Sequence, residues 1–336
     1  MKSFLFLLFL ISCYQTIYST KYDQKEWEKF KKTYAKIYQD QAEESYRKSI
    51  FFKNMQTIED HNQKYAQGLV TYTVAINKFA DHTVNELAKA SRPTHRQKTK
   101  TKKVVLSDTE VPESIDWRDY GVIPPIVDQD FCLSCWAFAV VAAVEAHVGI
   151  HLNRKNQTLS EENLIDCVYP DFNCTQEMVR TALEDSYQYI VDNGIDTAES
   201  YPYDEETSQC RFKPENVGAT ITDYARVPEG DEEELKRVVG TIGPVSVMIS
   251  VDLTFMVHRT GVYYKENCVD IKEPYNHAVT VIGYGEEDGQ EYWLVRNEWG
   301  TTFSENGYIK MARNRGNLCG IATYATYPII GEQNLV

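Results

Sequence analysis

Between Ala139 and Gly149 the chain is apolar at every position except Glu145 and His147. A run this uniform, longer than a strand and free of Gly and Pro until its end, predicts a helix buried on most sides. Cys135 then falls in the first turn of that helix. Upstream, residues 21–62 are polar, rich in Lys, Glu and Tyr, and helical in period. Glu43, Arg47, Phe51, Asn54, Ile58 and Asn62 recur at steps of three or four and share one face, with Glu43 and Arg47 at ion-pair spacing. Leu159-Ser160-Glu161-Glu162 reads as a helix start with Ser160 as N-cap, and residues 184–192 as a further helix closed by Asn193-Gly194. After Gly218 the pattern becomes short β-rich runs at 245–251, 277–284, 292–296, 308–312 and 321–328, broken by Gly, Pro and Asn turns. Beyond Val111 the chain is thus helix-rich first and strand-rich second, the latter an antiparallel sheet or barrel. His258 falls in a polar, turn-like stretch between these runs.

Composition and charge divide the chain further. Residues 1–19 carry Lys2, an apolar core and a small or polar end, the layout of a secretory signal. No later segment reads as a membrane span. Residues 91–103 form a basic, Pro-containing linker between two organised regions, a suitable place for proteolytic processing. Residues 1–110 hold 19 Lys and Arg against 12 Asp and Glu, whereas the remainder holds 16 against 37. A basic leading segment is attracted to an acidic body, and acid weakens that attraction. An acidic body offers no footprint for nucleic acid.

The chemistry centres on Gln129-Asp130-Phe131-Cys132-Leu133-Ser134-Cys135-Trp136. A helix N-terminus favours a thiolate, and a Gln six residues upstream offers an amide to an oxyanion. Cys132-x-x-Cys135 also fits a structural disulfide pair, half a zinc site or a redox pair; the expected second ligand pair and βαβ context are missing. Without residues 1–19, and so without Cys13, seven cysteines remain, leaving one thiol unpaired or an intermolecular bridge. If Cys135 is a nucleophile, the other six close as three disulfides. His277 opens an apolar strand, and Asn297 lies between aromatics that shield a hydrogen bond to an imidazole.

The stretch from Gln129 to Phe138, Asn276-His277-Ala278-Val279 and Arg296-Asn297-Glu298-Trp299-Gly300 together resemble the papain family of cysteine proteases. The Cys-to-His and Cys-to-Asn separations fit that family's usual pattern. The stripe from Glu43 to Asn62 is similar to the ERFNIN pattern of cathepsin L-like propeptides, and Ala75-x-Asn77-x-Phe79-x-Asp81 to its companion motif. The resemblance implies an α+β fold: a helical left subdomain at about 112–218, a β-barrel-like right subdomain at about 219–336, and a cleft between them. It implies a signal peptide at 1–19, an inhibitory propeptide at 20–108 and a mature peptidase at 109–336. Disulfides Cys132–Cys174, Cys167–Cys210 and Cys268–Cys319 are implied too. So is a mechanism in which Cys135 attacks the scissile carbonyl, His277 protonates the leaving amine, Asn297 orients the imidazole, and Gln129 with the Cys135 N–H holds the oxyanion.

Around the cleft the sequence departs from the family. Leu133 and Gln176-Glu177 stand where Gly is usual, Glu298 where Ser is usual, and Tyr324 falls near the base of the S2 pocket. Leu133, Gln176, Glu177, Tyr324 and Trp299 are the candidate substrate-binding positions, on a wall reshaped by the loss of Gly. Asn156 and Asn173 are N-glycosylation acceptors by sequence. Two readings follow: a cysteine endopeptidase made as a zymogen, or a diverged, weakly active or noncatalytic papain-like protein that binds peptides or a partner. The first implies protein substrates, the propeptide as inhibitor, cystatin-like inhibitors, a monomer, no metal or cofactor, and a secreted or lysosomal location.

Overall fold

The computed structural model describes residues 24–89, 110–268 and 275–331. The signal region and the basic linker at 91–103 lie outside them.

The leading segment folds as two helices, α1 (Gln24–Thr33) and α2 (Gln41–Ala66), not as one helical stretch. Asp40 breaks them: its extended backbone and side chain cap α2, accepting from the N–H of Ala42 and Glu43 at 2.8 Å each. Trp27, Phe30, Phe51, Met55 and Ala80 form this segment's own small core. Arg47 meets Glu43 at 3.7 Å as the spacing implies, but its closer partner is Glu86 at 2.6 Å, in the short helix α3 (Val84–Leu87).

The central helix α4 (Cys135–Leu152) is buried over nearly its whole length. It corrects the expectation that nothing after the N-terminus is long and apolar enough to cross a membrane: its 18 residues have a mean hydropathy of 1.6. Its apolar character serves the interior, where it packs against α5 (Glu161–Val168) and α6 (Ala182–Asn193). Ser160 caps α5, accepting from Asn163 N at 2.9 Å, and Gly194 closes α6 with a positive φ.

Among the described residues, nine strands make one sheet. β1 (Tyr72–Val74), β7 (His258–Tyr263), β10 (Tyr308–Ala312), β9 (Gln290–Arg296), β8 (His277–Glu287), β6 (Val245–Ile249), β11 (Tyr324–Ile329) and β5 (Asp223–Arg226) follow in that order, and β2 (Ile115–Asp116) joins β8. All pairs are antiparallel except β10 with β7. The remaining strands, β3 (Ile195–Asp196) and β4 (Val217–Ala219), pair separately. Two helices interrupt the strand-rich half, α7 (Glu232–Thr241) and α8 (Leu253–Met256). Asp231 caps α7, accepting from Glu234 N at 2.9 Å, ahead of three glutamates in the first turn.

β1 belongs to the leading segment yet completes the sheet of the second half. It lies so close to β7 that a Cβ on Gly261 would stand 2.6 Å from the Thr71 carbonyl oxygen. His258, expected in a turn, opens β7 and is buried, its ring nitrogens bonded to Ser304 Oγ at 2.7 Å and Gly261 O at 3.2 Å.

Candidate active site

Helix α4 is fastened to the sheet by hydroxyls. Ser246 Oγ and Thr280 Oγ1 both donate to Ala139 O, at 2.8 and 3.1 Å, and Tyr187 Oη bonds Ser246 Oγ at 2.7 Å. These bonds set the first turn of α4 against the start of β8, where the backbone N–H of Ala278 reaches the Cys135 sulfur. Cys135 is the free cysteine among the described residues, and the other six pair as Cys132–Cys174, Cys167–Cys210 and Cys268–Cys319.

His277, fully buried at the start of β8, bonds through Nε2 to Asn297 Oδ1 at 2.8 Å, and Nδ1 has no partner. Trp299 stacks on the imidazole with centroids 4.5 Å apart and keeps water from that bond. Gln129 reaches the site because its loop is zipped to the segment after β9. Gln129 N donates to Glu298 O at 2.8 Å and Gly300 N to Val127 O at 3.0 Å. Gly300 is required here: its φ is +76°, and a Cβ would stand 2.6 Å from Asp128 Oδ2. One proton of the Gln129 amide goes to Cys132 O at 2.6 Å; its Oε1 is unpartnered.

Burial, with the Glu298 carboxyl, pushes the Cys135 thiol well above its ordinary value. Burial also pulls His277 down to about 4, against its bond to Asn297.

The cover is the leading segment. Phe79 packs its ring edge against Trp299 at 5.6 Å and joins the cluster of Phe255 and Phe303. Asn77 Nδ2 donates to Met256 O at 2.8 Å, Lys78 pairs with Asp128, and Lys89 Nζ donates to Thr175 O at 2.6 Å. Behind them Asp81 is buried between Lys36 at 2.9 Å, His82 at 2.8 Å and the Tyr38 hydroxyl at 2.8 Å. Asn54 holds the turn through Ala80 O and His82 O, which explains an Asn on the α2 stripe.

The cleft residues divide between two cavities. Leu133 lines one of about 690 Å³ between the leading segment and the body, beside Phe131, Cys174 and Thr175. Gln176 and Glu177 line one of about 290 Å³ with Trp136 and Phe172. Tyr324 packs edge-on against Tyr275 at 5.0 Å, within the cluster that holds Met178 and Ala278.

The papain family cysteine protease model matches residues 111–329, and the cathepsin propeptide inhibitor domain model matches residues 27–87. The chain belongs to the papain family of cysteine proteases. It is 40% identical to cathepsin L of Sarcophaga peregrina, over 96% of this chain and 98% of that one. It is 42% identical to digestive cysteine proteinase 1 of Homarus americanus, over 90% and 94%. Its fold matches the solved digestive procathepsin L2 proteinase of the Tenebrio molitor larval midgut with a TM-score of 0.82 and 36% identity, covering 91% of this chain and 99% of that one. The inhibitor domain and the cathepsin relatives agree with the first of the two readings: the protein is a papain-like cysteine endopeptidase made as a zymogen with an inhibitory propeptide domain.

Three features of this papain-family site were not read from the sequence. They are the strand that the propeptide domain adds to the sheet, the buried hub at Asp81, and the closeness of the Glu298 carboxyl to His277 Nε2, at 3.3 Å. The first two lie beside a motif that was visible, the Ala75-to-Asp81 stretch.

Proposed function

We propose that Cys135 is the nucleophile and His277 its acid–base partner, with Asn297 orienting the imidazole. The observation that carries this is the 2.8 Å bond from His277 Nε2 to Asn297 Oδ1. It leaves Nδ1 open, next along the chain to Ala278, whose N–H reaches the free thiol. Once the site is uncovered, the thiolate attacks a peptide carbonyl, the oxyanion sits against the Cys135 N–H and the second Gln129 amide proton, and His277 protonates the leaving amine. Water then hydrolyses the acyl-enzyme. A His-paired thiolate of this kind has a pKa of roughly 3–4, so the charged pair persists in acid.

Residues 20–108 act as the inhibitor, and cleavage near the basic linker at 91–103 releases a mature chain starting close to residue 109. Burial pushes the Cys135 thiol up and the His277 imidazole down, and this supports latency. Leu133, Gln176 and Glu177 shape one wall of the substrate cleft and Trp299 the leaving side. Tyr324, packed on Tyr275, makes the S2 pocket shallow. The protein enters the secretory pathway through residues 1–19 and works as a monomer, secreted or in lysosomes. Cystatin-like inhibitors are its partners, and Asn156 and Asn173, both exposed, are its glycosylation sites. A thiol-directed epoxide on the acid-processed enzyme labels Cys135, and His277→Ala abolishes the labelling. Failure to label the wild-type protein while a related protease labels in parallel refutes the assignment.

A further inference from the structure

Glu298 follows Asn297 just beyond the end of β9, and its side chain is fully buried. Its Oε1 lies 3.3 Å from His277 Nε2, the nitrogen already bonded to Asn297 Oδ1, and the carboxyl has no hydrogen-bond partner beyond its own backbone N–H. A buried carboxyl without partners destabilises a fold, so a purely structural use for it is a poor one. The titratable and charged groups that face it are His277 from β8, Cys135 from the first turn of α4, and Arg296 from the end of β9. Arg296 donates through Nη2 to Pro125 O at 2.6 Å, and its Nε and Nη1 have no partner. His277 has no carboxylate nearer to it than Glu298 among the described ion pairs.

We propose that Glu298 is a positioning residue of the processed enzyme: its ionised carboxylate is the counter-ion of the His277 imidazolium and opposes the Cys135 thiolate. This rests on the reading of Cys135 and His277 as the reactive pair. A negative charge beside the imidazolium delays its loss of a proton to higher pH. The same charge near the sulfur makes the thiolate harder to form, so it too appears at higher pH. Both limbs of the activity profile therefore move upward together, and the three groups titrate as a set. In the zymogen, burial pushes the Glu298 carboxyl well above its ordinary value. Removing the propeptide admits water and lets it ionise with its partner.

The test is the pH dependence of Cys135 alkylation by iodoacetamide, measured beside kcat/KM for a peptide substrate, in the processed enzyme. In Glu298→Gln and Glu298→Ser both limbs move to lower pH by about one unit or more. A residue that only fills space lowers the amplitude and leaves the limbs in place. Limbs within about 0.2 unit of the wild type, with alkylation intact, overturn this inference alone. No alkylation of the wild-type enzyme at any pH overturns the reactive pair and this inference with it. In wild-type enzyme with Cys135 blocked as a methyl disulfide, NMR should find His277 titrating above its ordinary value of about 6.5. A value at or below that overturns the inference even if neither variant folds.

Discussion

Replacing Phe79 with Ala removes the aromatic that the propeptide domain buries against Trp299, while leaving that domain's own core untouched. Phe79 is 1% exposed and belongs to the cluster with Trp299, Phe255 and Phe303, whereas Trp27, Phe30, Phe51 and Met55 pack separately. Truncating a buried Phe costs about 3–5 kcal/mol, and here the loss falls on docking rather than on folding of the helices. At about 3 kcal/mol the population with the site uncovered rises by roughly two orders of magnitude. The assay is the rate at which a thiol-directed epoxide labels Cys135 in unprocessed zymogen at neutral pH, read by intact mass before cleavage begins. Met55→Ala is the control, because it weakens the helical core without touching the body. If Phe79→Ala labels within threefold of wild type at an unchanged Tm, the Phe79–Trp299 contact does not hold the zymogen shut.

Two further predictions concern acid. Burial opposes ionisation of Asp81, but His82 and Lys36 outweigh it and hold the carboxyl at about 2, against an ordinary 3.8. A depressed carboxyl stabilises above its unfolded value and loses that contribution as pH falls through the folded one, so Asp81 supplies about 2 kcal/mol above pH ~4 that is gone near pH 2. Asp81→Asn should therefore lower the zymogen Tm at pH 6 and leave it unchanged near pH 2; an equal loss at both would exclude an electrostatic role. An acid latch that opens above pH ~4 therefore does not run through Asp81, and Lys78 marks the place for one. It faces Asp128 and Asp130, and Glu205 nearby is raised by burial and by Asp130. Lys78→Gln should speed processing at neutral pH about two- to fivefold, as loss of ~0.5–1 kcal/mol predicts, and flatten its pH dependence. An unchanged ratio of acid to neutral rates, measured by densitometry, would refute that.

The residues that carry chemistry were legible because their chemistry demands particular side chains in a particular order: Cys135 at a helix start, His277 at a strand start, Asn297 among aromatics. The α2 stripe was legible from its period, and Asn54 shows why a polar residue sits on it. What depended on tertiary approach was not. The three-residue β1 is too short to show a strand pattern, and its pairing with β7 joins residues more than half the chain apart. His258 was misread because Arg259 and Thr260, both exposed, hide an inward-facing ring. Helix α7 had a readable start in Asp231-Glu232-Glu233-Glu234, obscured by the β-rich runs on either side. Glu298 was visible as a substitution, but its distance to His277 required the fold.

The strand contributed by the propeptide domain also changes what processing does to the rest of the molecule. While β1 is in place, β7 lies between two neighbours. Cleavage and release turn it into a border, with a row of amide and carbonyl groups open to any extended chain that comes past. Arg259, exposed on that strand, then becomes a guard charge against unwanted pairing. Maturation thus exposes two surfaces at once, a cleft meant to receive polypeptide and a sheet margin that must refuse it.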